Sequence, residues 1–239
     1  MLVWDIETSS IDILHRQYDL TVNTKRFSPD EIVRDWTMLG ASWKLIGEDK
    51  INCISVSSKN PLDDYMVVKT TYEAIQKADI LIGHNSDAFD LKKFNARAIY
   101  YDMPPLPQKQ QIDTLKEARK YFKFTSNKLS YLANYLGIDT KDESPRWDKI
   151  LNGDANELAI MREYNKKDVI VTEQLYLKLV SWMRNHPNVS LYSPIKDIEG
   201  KKILSCPKCN STNYTRNGFR YTKTKAVQRY ECSDCHGDF

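Results

Sequence analysis

The apolar positions of this chain follow two rhythms. Leu2-Val3-Trp4 and Ile80-Leu81-Ile82 are short continuous apolar runs, the pattern of strands buried on both faces. Thr37–Leu45 and Lys50–Val56 also read as strands, and Gly47-Glu48-Asp49 between them predicts a hairpin. Helical spacing occurs around Thr71–Lys77, at Leu91, Phe94, Ala98 and Ile99, over Leu115–Phe124, and over Lys128–Leu136 with Gly137 as C-cap. The clearest helix is predicted from Asp154 to Trp182, with Asp154 and Glu157 at the spacing of a capping box. Its inward stripe reads Met161, Tyr164, Asp168, Val171, Leu175, Leu179 and Trp182. Asp168 breaks the apolar pattern. A buried unpaired charge is costly, so Asp168 either lies at the helix's wet margin or is compensated by a partner or a metal. Strands interleaved with helices predict an α/β fold.

Other segments lack a rhythm. Residues 9–35 are irregular and polar, with a helix start at Ser28-Pro29-Asp30-Glu31. They read as an insertion near the end of the first strand, where ligands enter α/β sheets. Residues 101–111, rich in Pro and Gln, read as a loop, and 139–150 as a charged connection with a short turn at Trp147–Leu151. His186–Lys196 contains two prolines and reads as a linker. Short strands are expected at Phe219–Tyr221 and Ala226–Tyr230. The domain division expected is 1–185, a linker at 186–200, and a small module at 201–239.

Composition is that of a globular chain, and no run approaches the roughly 18 apolar residues of a membrane span. No secretion signal is read, so an intracellular location is expected, cytoplasmic or, for a viral chain, in the host cytoplasm. The net charge is only +3, but Lys196–Phe239 holds nine Lys and Arg against five Asp and Glu. That basic end points to a polyanion. Four of the five cysteines form two Cys-x-x-Cys pairs, Cys206/Cys209 and Cys232/Cys235, separated by 22 residues. Without a secretion signal this grouping favours one structural Zn²⁺ over disulfides. His236 is an alternative ligand to Cys235. Between the pairs, Arg216, Phe219, Arg220, Tyr221, Arg229 and Tyr230 interleave charge and aromatic surface. That suits nucleic-acid contact, with a solvated hairpin or a protein-docking module as alternatives.

The remaining chemistry lies in the acids. Asp5 and Glu7, two positions apart on the first strand, point to one side. Close carboxylates repel unless protonated or neutralised, and Mg²⁺ or Mn²⁺ with oxygen ligands is the suitable neutraliser. Asn85, Phe89 and Asp90 follow at a strand-to-helix junction, where Asp87 is a candidate cap and Asp90 falls in the first turn, favoured there by the helix dipole alone. Tyr164 stands one turn before Asp168 on the late helix.

These motifs, Asp5-x-Glu7, Asn85-x-x-x-Phe89-Asp90 and Tyr164-x-x-x-Asp168, resemble in order and spacing those of the DEDD superfamily of 3′→5′ exonucleases. Tyr164 places the chain with the tyrosine subgroup, which includes proofreading domains of DNA polymerases. Ile112-Asp113-Thr114-Leu115 and Lys128–Ala133 resemble the middle of such enzymes, and the stretch between Thr8 and Trp43 resembles stand-alone phage-type members. The resemblance implies a ribonuclease H-like mixed sheet flanked by helices, with a small β-rich zinc ribbon following. It implies two Mg²⁺ or Mn²⁺ ions, Asp5 bridging both, Glu7 and Asp168 completing one site and Asp90 serving the other. Tyr164 would orient the attacking water, and Thr8, Asn85 and Phe89 would contact the terminal nucleotide. The implied substrate is nucleic acid, with single-stranded DNA or DNA 3′ ends favoured. A catalytically silent nucleic-acid-binding adaptor and a proofreading accessory of a polymerase or repair partner are the alternatives.

Overall fold

The first apolar run forms β1 (Leu2–Thr8), the middle strand of a five-stranded mixed sheet, in a computed structural model that describes residues 1–14, 27–138 and 143–239. After it come β2 (Asp12–Ile13), β3 (Ile32–Arg34), β4 (Met38–Leu45), β5 (Asn52–Ser55), α1 (Tyr65–Gln76), β6 (Ile80–Gly83), α2 (Asp90–Tyr100) and β7 (Gln110–Asp113). The helices α3 (Thr114–Tyr121), α4 (Leu129–Tyr135), α5 (Trp147–Leu151) and α6 (Ala155–Leu179) follow, then β8 (Tyr214–Tyr221) and β9 (Ala226–Cys232). The sheet order is β5-β4-β1-β6-β7. β1 is antiparallel to β4 and parallel to β6, and β6 is parallel to β7. This mixed sheet with helices on both faces is the ribonuclease H-like architecture.

Strand alternation divides β1 between two cores. Leu2, Trp4 and Ile6 pack with α1 and α2, where Trp4 meets Phe94 edge-on at 6.2 Å. Val3 faces the opposite side, with Val169, Val171 and Leu175 of α6. Asp5 and Glu7 continue the face of Val3, which directs them toward α6. Two buried ion pairs fix the helices around β4. Asp64, just before α1, accepts two bonds from Arg97 of α2 (2.7 and 2.5 Å), one from the Tyr101 hydroxyl and one from the Met38 amide. Lys44 of β4 pairs with Glu173 of α6, which also accepts from the Gly47 amide at 2.9 Å. A buried pair stabilises little by itself, but removing one partner costs about 3–5 kcal/mol, so the pairs hold α2 and α6 in one position.

Several expectations change. The helix expected from Thr71 begins at Tyr65, and the 101–111 loop gives its last two residues to edge strand β7. Asp87 does not cap α2. It pairs with Lys116, and the chain turns into the helix at Phe89 with no side-chain cap. Asp154 caps α6, but the capping box is not closed, because Glu157 accepts from the Arg146 amide instead. Trp182 leaves the inward stripe and is 59% exposed, on a 3-10 turn at Val180–Trp182. The polar insertion is framed by the β2–β3 ladder and a 3-10 turn at Pro29–Glu31. Its centre, 15–26, lies outside the described residues, as does 139–142 of the charged connection. β8 and β9 are longer than expected and form a separate antiparallel hairpin. Among the described residues no helix is long and apolar enough to cross a membrane.

Candidate active site

β1 outruns its parallel neighbour. Its pairing with β6 ends at Val3↔Ile82, so the later residues of β1 project beyond β6. Backbone groups left without a ladder partner need another. The Ile6 amide finds one in Asp90, which accepts its hydrogen at 3.2 Å from the first residue of α2. This bond draws a carboxylate that is 4% exposed down beside Asp5 and Glu7. Helix α6 supplies Asp168 from the other side. Carboxylate oxygens of Asp5, Glu7 and Asp168 all lie within 4.8 Å of one another. Asp168 is half-buried, at the margin of its helix's apolar face.

The charge balance of this cluster is unfavourable. Burial pushes the Asp5 carboxyl well above the usual range, and Asp90, Glu7 and Asp168 add to the effect. Burial first, then Asp168 and Asp90, push Glu7 up to about 8. Burial also lifts Asp90 to about 7. Asp5, Glu7 and Asp90 therefore resist ionisation unless positive charge is supplied. Their donor set is all oxygen, which fits a hard divalent cation such as Mg²⁺ or Mn²⁺.

Around the acids, Tyr164 is half-buried one turn before Asp168, its ring edge-on to Trp147 at 6.5 Å. Thr8 follows the register shift between Glu7 and Thr8 at the end of β1. Phe89 is 41% exposed, which excludes a core role for it. Asn85 adopts the left-handed conformation (φ 63°), and its amide donates to Asp113. Two residues here were not anticipated in these roles. Asn165, 1% exposed, donates through Nδ2 to Asp5 Oδ2 at 2.7 Å. Its one sequence signal is an amide in the middle of a helix, adjacent to Tyr164. Asp113 caps α3 and also accepts from the Asn85 and Asp87 amides, at 2.9 and 3.3 Å. It therefore shapes the loop that delivers Asp90. His84 strengthens that loop by bonding to the Thr114 hydroxyl and the Asn127 carbonyl, both at 2.9 Å, and burial depresses its pKa.

The cysteines form a second cluster. The sulfurs of Cys206, Cys209, Cys232 and Cys235 lie within 4.8 Å of one another. The two pairs have the same local turn: Asn210 (φ 62°) donates its amide to the Cys206 carbonyl, and His236 (φ 54°) donates to Cys232. His236 is outside the sulfur group, so the alternative ligand is not the one the fold brings in. Burial raises the thiols of Cys209 and Cys235, the latter to about 11. Four closely spaced thiols suit a thiolate-binding cation such as Zn²⁺.

A mixed sheet with acids gathered at the end of its central strand defines a nuclease-type α/β scaffold. The family model of the RNase_H superfamily matches residues 24–180, and the chain belongs to that superfamily. The fold is similar to that of the family B DNA polymerase from the hyperthermophilic archaeon Pyrobaculum calidifontis, with a TM-score of 0.55 and 17% identity. That similarity covers 76% of this chain and 24% of the polymerase, so the chain spans about a quarter of that protein and the likeness is one of fold. No curated protein matches the chain.

Proposed function

We propose that the chain is a divalent-metal-dependent 3′→5′ exonuclease of the DEDD type, tyrosine subgroup, acting on nucleic acid with DNA favoured. The observation that carries this reading is the convergence of Asp5, Glu7, Asp90 and Asp168 from β1, α2 and α6 on one buried point. Clustered carboxylates destabilise a fold unless they hold a cation, so their assembly needs a functional reason. Asp5, Glu7, Asp90 and Asp168 would hold two Mg²⁺ or Mn²⁺ ions, which when bound supply an activated water and stabilise the leaving oxygen. Tyr164 orients that water by hydrogen bonding and need not be a strong base. Asn165 holds Asp5. Thr8 and Asn85 line the approach, and the exposed ring of Phe89 stacks on the terminal base. Hydrolysis adds water to phosphorus, breaks the bond to the preceding 3′ oxygen and releases a nucleoside monophosphate.

Residues 1–185 form the nuclease unit, 186–200 the linker and 201–239 a zinc ribbon with one structural Zn²⁺ on its four cysteines. The linker holds the ribbon closely: the Val189 amide donates to the Pro207 carbonyl at 2.7 Å, and Asn210 donates to the Ser193 carbonyl at 2.7 Å. The ribbon grips nucleic acid, and the site of action is intracellular. Likeness to a DNA polymerase supports DNA as substrate and a replication or repair partner at primer ends.

The test is degradation of 3′- and 5′-labelled single-stranded DNA and RNA with Mg²⁺ or Mn²⁺, beside Asp5→Ala and Asp168→Ala variants. Stepwise shortening of the 5′-labelled strand, mononucleotide release from the 3′ label and two dead variants are expected. A protein that binds strands but cleaves none with either metal would instead be an adaptor.

A further inference from the structure

Opposite the acids, the end of α6 and the cysteine hairpin enclose a cleft of about 890 Å³ lined by Trp182, Arg184, Arg220 and Arg229. None of these three arginines forms an ion pair among the described residues. Glu231 and Asp238 also line the cleft, and both accept from Asn217, at 3.5 and 2.9 Å. Trp182 lies fourteen residues beyond Asp168 in sequence, or roughly 21 Å along the helix at 1.5 Å per residue.

A ledge of aromatic rings, carried by the segment between α3 and α4 and by Tyr135 of α4, adjoins this cleft. At one end, the Asn127 carbonyl accepts from His84, so the segment between α3 and α4 abuts the loop before Asp90. At the other end, Phe122 packs against Trp182 at 5.2 Å, and the Tyr121 hydroxyl accepts from the Arg184 amide at 2.8 Å. Phe124 stacks on Phe122 at 5.2 Å and meets Tyr135 at 5.4 Å. The inner rings, Phe122 and Phe124, pack on the α3–α4–α6 core, whereas Trp182 and Tyr135 remain 59% and 65% exposed. Two large exposed rings on a rigid backing, beside unpaired arginines, combine base-stacking surface with phosphate-pairing charge.

We infer that this ledge and cleft form a second binding site for single-stranded DNA, holding the 5′ portion of a strand whose 3′ end lies at the acids. Tyr135 and Trp182 each stack on a base of the same strand, and Arg184 with Arg220 neutralises the phosphates entering beneath the hairpin. The inference rests on the exonuclease reading for the strand's direction. The occupant itself is chosen by charge and aromatic complementarity at the ledge.

The test uses the full chain and fluorescein-labelled oligothymidylates of about 4 and about 16 nucleotides, the range of typical single-strand site sizes. Binding is measured by anisotropy with EDTA present, and hydrolysis separately with Mg²⁺. Trp182→Ala and the double variant Arg184→Ala/Arg220→Ala are expected to weaken binding of the long strand about 10-fold or more and leave the short one unchanged. The double variant should also flatten the salt dependence, and Trp182→Phe should restore long-strand binding. Unchanged long-strand affinity, or equal loss for both lengths, overturns the inference even if hydrolysis proceeds. Preference for a folded protein over the long strand also overturns it. A wild-type chain that cleaves nothing yet shows the Trp182-dependent length effect fails the exonuclease reading and retains the binding site.

Discussion

Asn165 reaches from the middle of α6 to the central strand and donates Nδ2 to Asp5 Oδ2 at 2.7 Å. This bond opposes the rise of the Asp5 pKa and leaves the other carboxylate oxygen for a cation. The Asn165 Oδ1 is buried with no hydrogen-bond partner among the described residues, so the amide is held through Nδ2, which also opposes the rise of the Glu7 pKa. Residues that orient a metal ligand typically contribute 10–100-fold in metal affinity or activity. Asn165→Ala is therefore expected to lower turnover about 10-fold or more and to raise the Mn²⁺ concentration needed for half-maximal rate. Asn165→Asp should be worse, since it adds a fifth carboxyl to the cluster. Steady-state rates against Mn²⁺ concentration, with thermal melts to confirm folding, check both.

The acid cluster should also set the stability of the metal-free protein. Glu7 and Asp90 have folded-state pKa values raised to about 8 and about 7, from ordinary values of 4.5 and 3.8. A raised carboxyl binds more protons folded than unfolded, so its contribution is complete below the unfolded pKa and is lost as pH rises through the folded one. Metal-free protein is thus expected to melt progressively lower between about pH 4 and pH 8, and added Mg²⁺ should recover most of the loss at pH 8. His84, whose pKa burial depresses, contributes the opposite slope at the acid end. An Asp5→Asn/Glu7→Gln/Asp90→Asn variant separates the two, because it removes the raised carboxyls and keeps the histidine's slope. Denaturation followed by circular dichroism in EDTA across this pH range checks the sign.

Legibility in the sequence followed burial. β1 and β6 were readable because Leu2-Val3-Trp4 and Ile80-Leu81-Ile82 are buried on both faces. β7 was not, because an edge strand reading Gln-Gln-Ile-Asp carries too little apolar signal. The acids were legible as motifs, yet their shared face arises from alternation along β1 combined with packing of α6, which is tertiary information. Asp113 was legible as part of a motif but not as the acceptor for the Asn85 and Asp87 amides, since loop geometry leaves no periodic trace. Helical spacing extended to Trp182 predicts an inward ring, but the α-helix ends at Leu179 and a 3-10 turn follows, leaving the ring exposed.

Gly83 ends β6 where the chain must turn sharply into the loop before α2. A Cβ placed there would come within 2.5 Å of the Ser86 side chain, which is itself buried. Accommodating it shifts Ser86, whose carbonyl accepts from the Leu91 amide in the first turn of α2. Overpacking of this kind costs about 1–3 kcal/mol, and here the displacement passes directly to Asp90. Gly83→Ala is expected to lower stability by that amount and to reduce activity more than Gly40→Ala does. Gly40 is also crowded, by the flexible end of Met161 at 2.9 Å and less closely by the Ile54 carbonyl at 3.1 Å. Comparing the two variants by urea denaturation and by turnover distinguishes lost positioning from lost stability.

A dependence of the hairpin on metal is expected from its size and its contacts. β8 and β9 are mostly exposed or half-buried, and the fully buried core there consists chiefly of Cys206 and Cys232. Tyr214, Tyr230 and Phe239 cluster at 5.2–5.7 Å, which is little apolar burial for so small a unit. Its anchors to the larger body are Lys208 on the Ser181 carbonyl at 2.8 Å and the packing of Cys235 against the core beside Tyr176. Zn²⁺ binding to such sites contributes folding energy outright. Purified protein is expected to carry one zinc by atomic absorption. Prolonged chelation, or Cys206→Ser, should expose the remaining thiols to reagent and remove the Lys208 anchor. The larger body keeps both of its cores, so hydrolysis of short strands should survive the loss while binding of long ones falls. If short-strand hydrolysis collapses together with the zinc, the hairpin supports the larger body itself.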